Sequence, residues 1–382
     1  MREPGNAIPK FTALCCGLLI AGGAPAGAQA PAAVVARDSG ATMERVAEGV
    51  YAIVHQDAIR SYPDGATDWP HSNVGVIVGR DAVLVIDSDF YPSRAAADIA
   101  LIRLVTRLPV RYLLNTHWHG DHTHGNAVYA DSFPGLTIVG SRANGQFVGI
   151  NQTRFPLSAL RENSSTRALL ASHEALLARG RDSAGRALTA VERTLLGQVI
   201  AQRRQQLREF AAVRAAPPTM LFDGAMSLDL GGRRVELVDR GHGNSPSDVT
   251  AWLPAEGVVF AGDILVWPVP YTFDAYPRPW IDVLRQLEAL PTRAIVPGHG
   301  PVFRDQAYLR QVRGHLERAV GQADSLIRLG SLRPDVERLV DLGDLKPAFV
   351  RPGDATAEAF WEAAVRNSLL ERVYQCQVGS RC

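Results

Sequence analysis

The chain has 382 residues, 46% of them hydrophobic and 21% charged, with a formal net charge of +1. That length and composition agree with a globular fold holding one large core or two modest ones. A balance so close to neutral gives no electrostatic reason to expect nucleic acid or a membrane surface as partner.

Arg2 and Lys10 precede an apolar stretch from Phe11 to Ala24, and Ala28-Gln29-Ala30 follows as an A-x-A cleavage site. This is the pattern of a secretory leader over residues 1–30, removed from a periplasmic or secreted protein. The apolar run is short and is broken at Gly22-Gly23-Ala24-Pro25, so no stable membrane anchor is expected after cleavage. Removing the leader takes Cys15 and Cys16 with it. Cys376 and Cys382 remain, able to close a small disulfide in an oxidising compartment or to stay as free thiols.

Residues 31–43 read as a linker, and the body of the protein is expected over 44–330. Gly49 to Val54, Val74 to Val78 and Ala82 to Ile86 are rich in β-branched residues and bounded by Gly, Asp and Pro, the composition of buried strands. Between the first two lies a loop from His55 to His71, whose Tyr62 and Trp69 are either loop anchors or apolar contacts for a substrate. Ser93 to Leu108 reads as a helix with Ala97, Leu101, Leu104, Val105 and Leu108 on its apolar stripe. Arg111 to Asn115 is the next strand, Thr123 to Asn126 a helix start, and Leu136 to Val139 a further strand.

Residues from about 156 to 216 lack strand signals and are rich in Ala, Leu, Arg, Glu and Gln, with helical spacing at Leu196, Ile200, Leu207 and Phe210. Two or three helices are expected, with Arg203, Arg204 and Arg208 on a solvated face. They form a surface pair, a wall over a cleft, or a dimer contact. A second half runs from Met220 through Ile295 and ends in a helix from Asp305 to Leu329. Two such halves fit an α+β fold, a four-layer αββα sandwich with a helical insertion between the halves. Residues 331–382 form a C-terminal helical extension, with Trp361, Val365 and Leu369 on one face. It caps the sandwich or meets a partner chain, and a homo-oligomer is left open.

The chemistry sits in His117-Trp118-His119-Gly120-Asp121-His122, which packs four metal-binding side chains into six residues. Imidazole nitrogen and carboxylate oxygen suit a cation such as Zn²⁺, and so dense a cluster exceeds what one ion can take from so short a segment. Two neighbouring metals are therefore expected. At the end of a strand His117 and His119 point the same way, and Asp121 and His122 come round in the following turn. Further donors, His242, Asp263 and His299, each follow an apolar run in a glycine-rich context.

This ordered set, H-x-H-x-D-H followed by a later His, a Gly-Asp strand end and a G-H-G, resembles the metallo-β-lactamase superfamily of metal-dependent hydrolases over roughly residues 44 to 325. The resemblance implies that His117, His119 and His242 hold a first zinc, and that Asp121, His122 and His299 hold a second with Asp263 bridging. It implies a secreted di-zinc hydrolase that opens an amide or ester bond of a small molecule with a metal-bridged hydroxide, Asp121 orienting it. Trp252-Leu253-Pro254 is similar to the β-lactamase branch, but Asp263 stands where the best-known members have Cys and Val266 where they place Lys. Lactones, esters, thioesters and β-lactams all stay open as substrates. The competing class is a mononuclear iron enzyme of the same fold that oxidises sulfur compounds.

Asp87 matches a family position near the metal loop and is expected to orient a ligand by hydrogen bonding. Trp267 and Tyr271 are expected pocket walls, and Trp118 is expected to pack away from the metals. His55, His71, His173 and His315 read as structural, and His124 as a helix-start residue or a hydrogen-bonding neighbour of the cluster.

Overall fold

Period-two alternation along the β-branched runs sets up the layers. In Val83–Ile86, Leu84 and Ile86 join a core between two sheets, while Val83 and Val85 face a helical layer on the other side. In Val258–Val266, Val258 and Phe260 face the inter-sheet core, and Val259 and Ala261 face the opposite helical layer.

The computed structural model describes residues 33–55, 60–61, 67–68, 71–145 and 157–379. The expected leader over 1–30, the loop aromatics Tyr62 and Trp69, and Cys382 lie outside the described residues. Cys376 is disulfide-bonded.

The first sheet contains β1 (Ala33–Arg37), β2 (Ala41–Ala47) and β3 (Val50–His55). A separate two-stranded pair, β4 (Arg60–Ser61) and β5 (Thr67–Asp68), interrupts it in sequence. It continues with β6 (Val74–Val78), β7 (Val83–Ile86), β8 (Val110–Leu114), β9 (Thr137–Ser141) and β10 (Met220–Phe222). Pairing is antiparallel up to β7 and parallel from β7 to β10. The second sheet runs β11 (Ala225–Asp229), β12 (Arg234–Asp239), β13 (Val249–Leu253), β14 (Val258–Val266) and β15 (Ala294–His299), with only β14 and β15 parallel.

Helix α1 (Pro92–Val105) covers the outer face of the first sheet together with α3 (Asn126–Ser132), which follows the short α2 (Gly120–Thr123). Three helices after α4 (Arg142–Gly145) form the insertion: α5 (Leu157–Glu162), α6 (Ser164–Arg179) and α7 (Ala190–Ala212). The second sheet is covered by α8 (Pro277–Glu288) and α9 (Ala307–Arg328), backed by α10 (Arg333–Leu339), α11 (Ala355–Phe360) and α12 (Ser368–Gln377). The result is the expected αββα layering.

Several expectations change in detail. Residues 33–37 and 41–43 are strand rather than linker, because Ala33–Arg37 pairs with β2 at the edge of the first sheet. Met220–Phe222 belongs to the first sheet, beside β9, so the second sheet starts only at Ala225. Helix α1 stops at Val105: Thr106 is extended, its hydroxyl accepts the Leu108 N–H, and Pro109 disfavours helix in the residue before it. The buried face of α1 carries Ala95, Asp98, Ile99, Leu101 and Ile102, while Leu104 is 69% exposed. A buried aspartate on that face, partnered by His55 and Arg94, disguises the stripe.

The insertion is anchored by α7, whose start is fixed by a reciprocal pair of hydrogen bonds between Thr189 and Glu192. Phe210 meets Phe90 and Tyr91 edge-on, which ties the insertion to the loop after β7. Arg204 and Arg208 are exposed as expected, but Arg203 is buried and donates to Gln206 Oε1. The C-terminal helices are part of the protein's core: Trp361, Val365, Leu369 and Val373 pack in one cluster with Trp280 and Leu316.

Candidate metal centre

The donors gather where β7, β8, β14 and β15 end. The chain leaves β8 through Thr116 and His117, and His119 stands immediately before α2, which presents Asp121 and His122. Asp263 lies inside β14, just after Gly262 in a positive-φ conformation that shifts the register against β15. His299 is the last residue of β15.

Two sets of donor atoms converge, each within 4.8 Å of one another: Asp121, His122, Asp263 and His299 in one, His117, His119 and Asp263 in the other. Asp263 serves both through different oxygens. Its Oδ1 lies 3.2 Å from His122 Nε2 and 3.5 Å from His299 Nε2, while its Oδ2 lies 3.7 Å from His117 Nε2. This is the geometry of a carboxylate shared between two positions.

The opposite nitrogen of each ring is already engaged. His122 Nδ1 donates to Asp87 Oδ2 at 2.8 Å, and His299 Nδ1 donates to the His71 carbonyl at 3.1 Å. Thr116 Oγ1 gives its proton to Asp87 Oδ2 at 2.8 Å and so can accept from His117 Nδ1 at 3.1 Å. His119 Nε2 faces Asp274 Oδ2 at 3.7 Å, an ion-pair contact rather than a hydrogen bond. These contacts fix the tautomers, as a partner on the second nitrogen does in histidine metal sites.

The inward nitrogens then carry lone pairs, and they face carboxylate oxygens and one another. His117 Nε2 and His119 Nδ1 are 2.9 Å apart, and His299 Nε2 is 3.0 Å from Asp121 Oδ2. His122 Nε2, His299 Nε2 and both carboxylate oxygens of Asp263 are buried with no hydrogen-bond partner. Buried polar atoms seldom go unsatisfied, and acceptors facing acceptors call for a cation between them. The residue set fits divalent metal.

Electrostatics follow from this crowding. Burial, then the neighbouring His122 and His119, hold His117 well below the usual imidazole range. Burial works against charge on His122, yet with no cation bound Asp121, Asp263 and Asp87 raise it well above that range, a proton standing where the cation would. Asp121 resists the effect of its own burial and is held well below the carboxylate range by His122 and His299.

Asp87 is the hub of the frame. With φ at +61°, it accepts the Thr116 N–H on Oδ1 at 2.8 Å and serves Thr116 and His122 through Oδ2. The expectation for this residue therefore matches its contacts. The tripeptide His71-Ser72-Asn73 adds a second brace. Ser72 Oγ donates to the Asp121 carbonyl at 2.6 Å, and Asn73 Nδ2 donates to the carbonyls of Pro297 and Gly300 on either side of His299. His55 is buried behind that brace, with Nδ1 2.5 Å from the Ser72 carbonyl and Nε2 3.1 Å from Asp98 Oδ1.

Of the sequence-identified donors, the structure brings together His117, His119, Asp121, His122, Asp263 and His299. His242 stays apart, exposed, its ring stacked on Tyr276 at 4.2 Å. His124 is half-buried, stacked on Phe90, and belongs to neither set; the desolvation of its ring lowers it to about 4. His315 is buried against Phe349 and Trp361, a structural role as expected. Trp118 meets His119 edge-on, and Tyr271 lies 5.4 Å from the His299 ring as a wall of the site. Sequence reasoning missed Asp274, which has no motif around it, and Asp89. The Asp87-Ser88-Asp89 run after an apolar strand was a usable signal for the latter.

The metallo-beta-lactamase superfamily model matches residues 67–143 and 193–299. Among solved structures, the chain is similar to a metallo-beta-lactamase from Pontibacter korlensis, with 17% identity, a TM-score of 0.49, and coverage of 72% of this chain and 99% of that one. It is also similar to the stereoselective inverting sec-alkylsulfatase Pisa1 from Pseudomonas sp., with 15% identity, a TM-score of 0.56 and coverage of 88% of this chain. The chain spans 50% of that protein's length, and the likeness at this identity concerns the fold.

Proposed function

From a chain that belongs to the metallo-beta-lactamase superfamily, we propose a secreted hydrolase that takes two zinc ions and opens an amide or ester bond of a small molecule. The observation that carries this reading is the pair of donor sets sharing Asp263, each oxygen turned to a different set. Divalent cations bound there would supply Lewis acidity and lower the pKa of a bound water towards neutrality.

What the chain's own residues contribute follows from exposure. The Asp263 side chain is 1% exposed and sits too deep to meet substrate, whereas Asp121 is 19% and His119 25% exposed. Asp121 is thus the carboxylate that can hold a water proton and orient the attacking oxygen. Asp274 and the 44%-exposed Phe273 follow one another on the loop beside His119, and the 38%-exposed Trp267 sits against Gly300, next to His299. Two aromatics at the mouth suit a substrate with an apolar acyl or leaving group. The leader pattern over residues 1–30 supports export to the periplasm or medium.

The test is metal analysis of the purified protein combined with a panel of lactones, aryl esters, thioesters, β-lactams and a secondary alkyl sulfate. Zinc with turnover on at least one member, abolished by Asp121→Ala, is the expected result. Iron as the bound metal, or undiminished turnover in Asp121→Ala, would overturn the assignment.

A further inference from the structure

The stretch between β14 and α8, from Trp267 to Tyr276, turns two side chains towards the donors. Tyr271 stands 5.4 Å from the His299 ring, and Asp274 Oδ2 stands 3.7 Å from His119 Nε2. Each is backed by a residue of the C-terminal helices, which lie after residue 299, where the match to the superfamily ends. Phe360, the last residue of α11, meets Tyr271 edge-on at 5.2 Å, and both rings are buried. Behind Asp274, Arg372 of α12 donates from Nε to the Ala275 carbonyl at 2.8 Å, and its guanidinium lies 5.3 Å from the centre of the Tyr276 ring. The guanidinium is aimed by its own helix: Gln375 accepts from Nη1 at 3.2 Å and is held in turn by Glu371. The stretch is also tied to the loop after β12, through the Tyr271 carbonyl to Asn244 and through the Tyr276 N–H to the Gly243 carbonyl at 2.8 Å. Between those ties, the Ala275 N–H reaches the Thr272 carbonyl only at 3.3 Å, and the shorter bond comes from Arg372, a charged donor on a buried carbonyl.

Building on the hydrolase reading above, we propose that Arg372 is a positioning residue for that reaction, and that α11 and α12 set the outer wall of the substrate cleft. Arg372 fixes the turn that presents Phe273, 44% exposed, and Asp274 at the mouth. Phe360 sets how far Tyr271 reaches towards His299. The C-terminal helices therefore act on the substrate side of the site as well as on the core, and they do so through the backbone of one loop. Arg372 itself need not touch substrate.

Limited digestion of the full chain with chymotrypsin, with fragments identified by mass, tests the placement of the loop without reference to activity. Arg372→Ala should be cut after Phe273 at least roughly tenfold faster than the wild type, since losing a hydrogen bond from a charged donor raises the locally open population by about that factor. Arg372→Lys keeps a cationic donor near Tyr276 and should return to within roughly threefold of the wild-type rate. Cleavage after Trp361, which is 1% exposed, reports on the C-terminal layer as a whole and should not change. On a panel substrate that the wild type turns over, Arg372→Ala should lower kcat/KM by roughly ten- to a hundredfold, the cost of misplacing positioning groups by about an ångström, and Arg372→Lys should recover most of it. Unchanged cleavage after Phe273, cleavage after Trp361 rising in step with it, or a loosened loop with wild-type kcat/KM overturns the proposal. A wild type without turnover on any panel member would instead overturn the hydrolase reading, and the cleavage rates would still judge whether Arg372 holds the loop.

Discussion

Gly298 and Asp263 are fitted to one another: a methyl group on residue 298 would lie 2.0 Å from Asp263 Oδ1. The glycine of the Gly-His-Gly turn is therefore missing a side chain so that the shared carboxylate can occupy its place between the two donor sets. Backbone atoms of Gly262 and Asp263 would also be crowded, at 2.9 and 3.0 Å, so moving the carboxylate alone does not relieve the clash. Gly298→Ala should weaken metal uptake by at least roughly tenfold, through displacement of Asp263, and destabilise the fold by about 1–3 kcal/mol from overpacking. Chelator competition and urea unfolding check the two parts separately. Metal binding equal to that of the wild type would show that Asp263 is not positioned in this way.

A buried ionic group behind the centre makes stability depend on pH. His55 is packed among Asp89, Asp98, Arg94 and His71. Burial works against its charge, but Asp98 and Asp89 raise it to about 9. A histidine with a raised folded pKa contributes stability that is complete below its unfolded value near 6.5 and is lost as pH rises through about 9. The loss is on the order of 3 kcal/mol at most. Urea midpoints should fall between about pH 6 and pH 9.5, and in Asp98→Asn that slope should flatten. An unchanged slope in the variant would assign the dependence to other groups.

The same cluster shows where sequence reading stops. The H-x-H-x-D-H run, Asp263 and His299 were legible because their spacing and strand-end context come from local chain geometry. Asp87 was legible through the resemblance, as the residue that ends an apolar strand at a family position near the metal loop. Asp98 was not, because a lone charged residue on a helix reads as solvated unless its partner is known, and His55 lies 43 positions earlier. His242, a glycine-flanked histidine after a strand, lies outside both donor sets, with its ring stacked on Tyr276. The backbone of its loop is held by hydrogen bonds with Asp239, Asp248 and Tyr276, which no local pattern records. The sheet to which Met220–Phe222 belongs was likewise hidden, being set by pairing with β9 across the helical insertion.

The C-terminal helices are not a dispensable extension. Trp361, Val365, Leu369, Leu370 and Val373 are each at most 1% exposed and pack in the cluster that covers the second sheet. Each buried side chain of this kind contributes about 1.5–3 kcal/mol, so five together rival the whole stability of about 5–15 kcal/mol typical of a folded domain. A chain ending at Gly330 should fail to fold cooperatively, reported by loss of near-ultraviolet circular dichroism and by aggregation. A soluble truncation with a sharp melting transition would contradict the packing described.

Asp274 offers a way to disturb one donor set alone. Its Oδ2 faces the outward nitrogen of His119, whereas the outward nitrogens of His122 and His299 rest on Asp87 and on the His71 carbonyl. A carboxylate behind a ligating imidazole fixes its orientation and strengthens its lone pair, and loss of such a partner typically costs about 10–100-fold in metal affinity. Asp274→Ala should weaken the ion held by His117 and His119 by that factor and leave the ion of the His299 set unaffected. Since Asp274 is partly exposed, the fold should tolerate the change, and unfolding midpoints should stay within about 0.5 kcal/mol of the wild type. Equal weakening of both ions would mean that Asp274 acts on the centre as a whole, through charge rather than through the orientation of one ring.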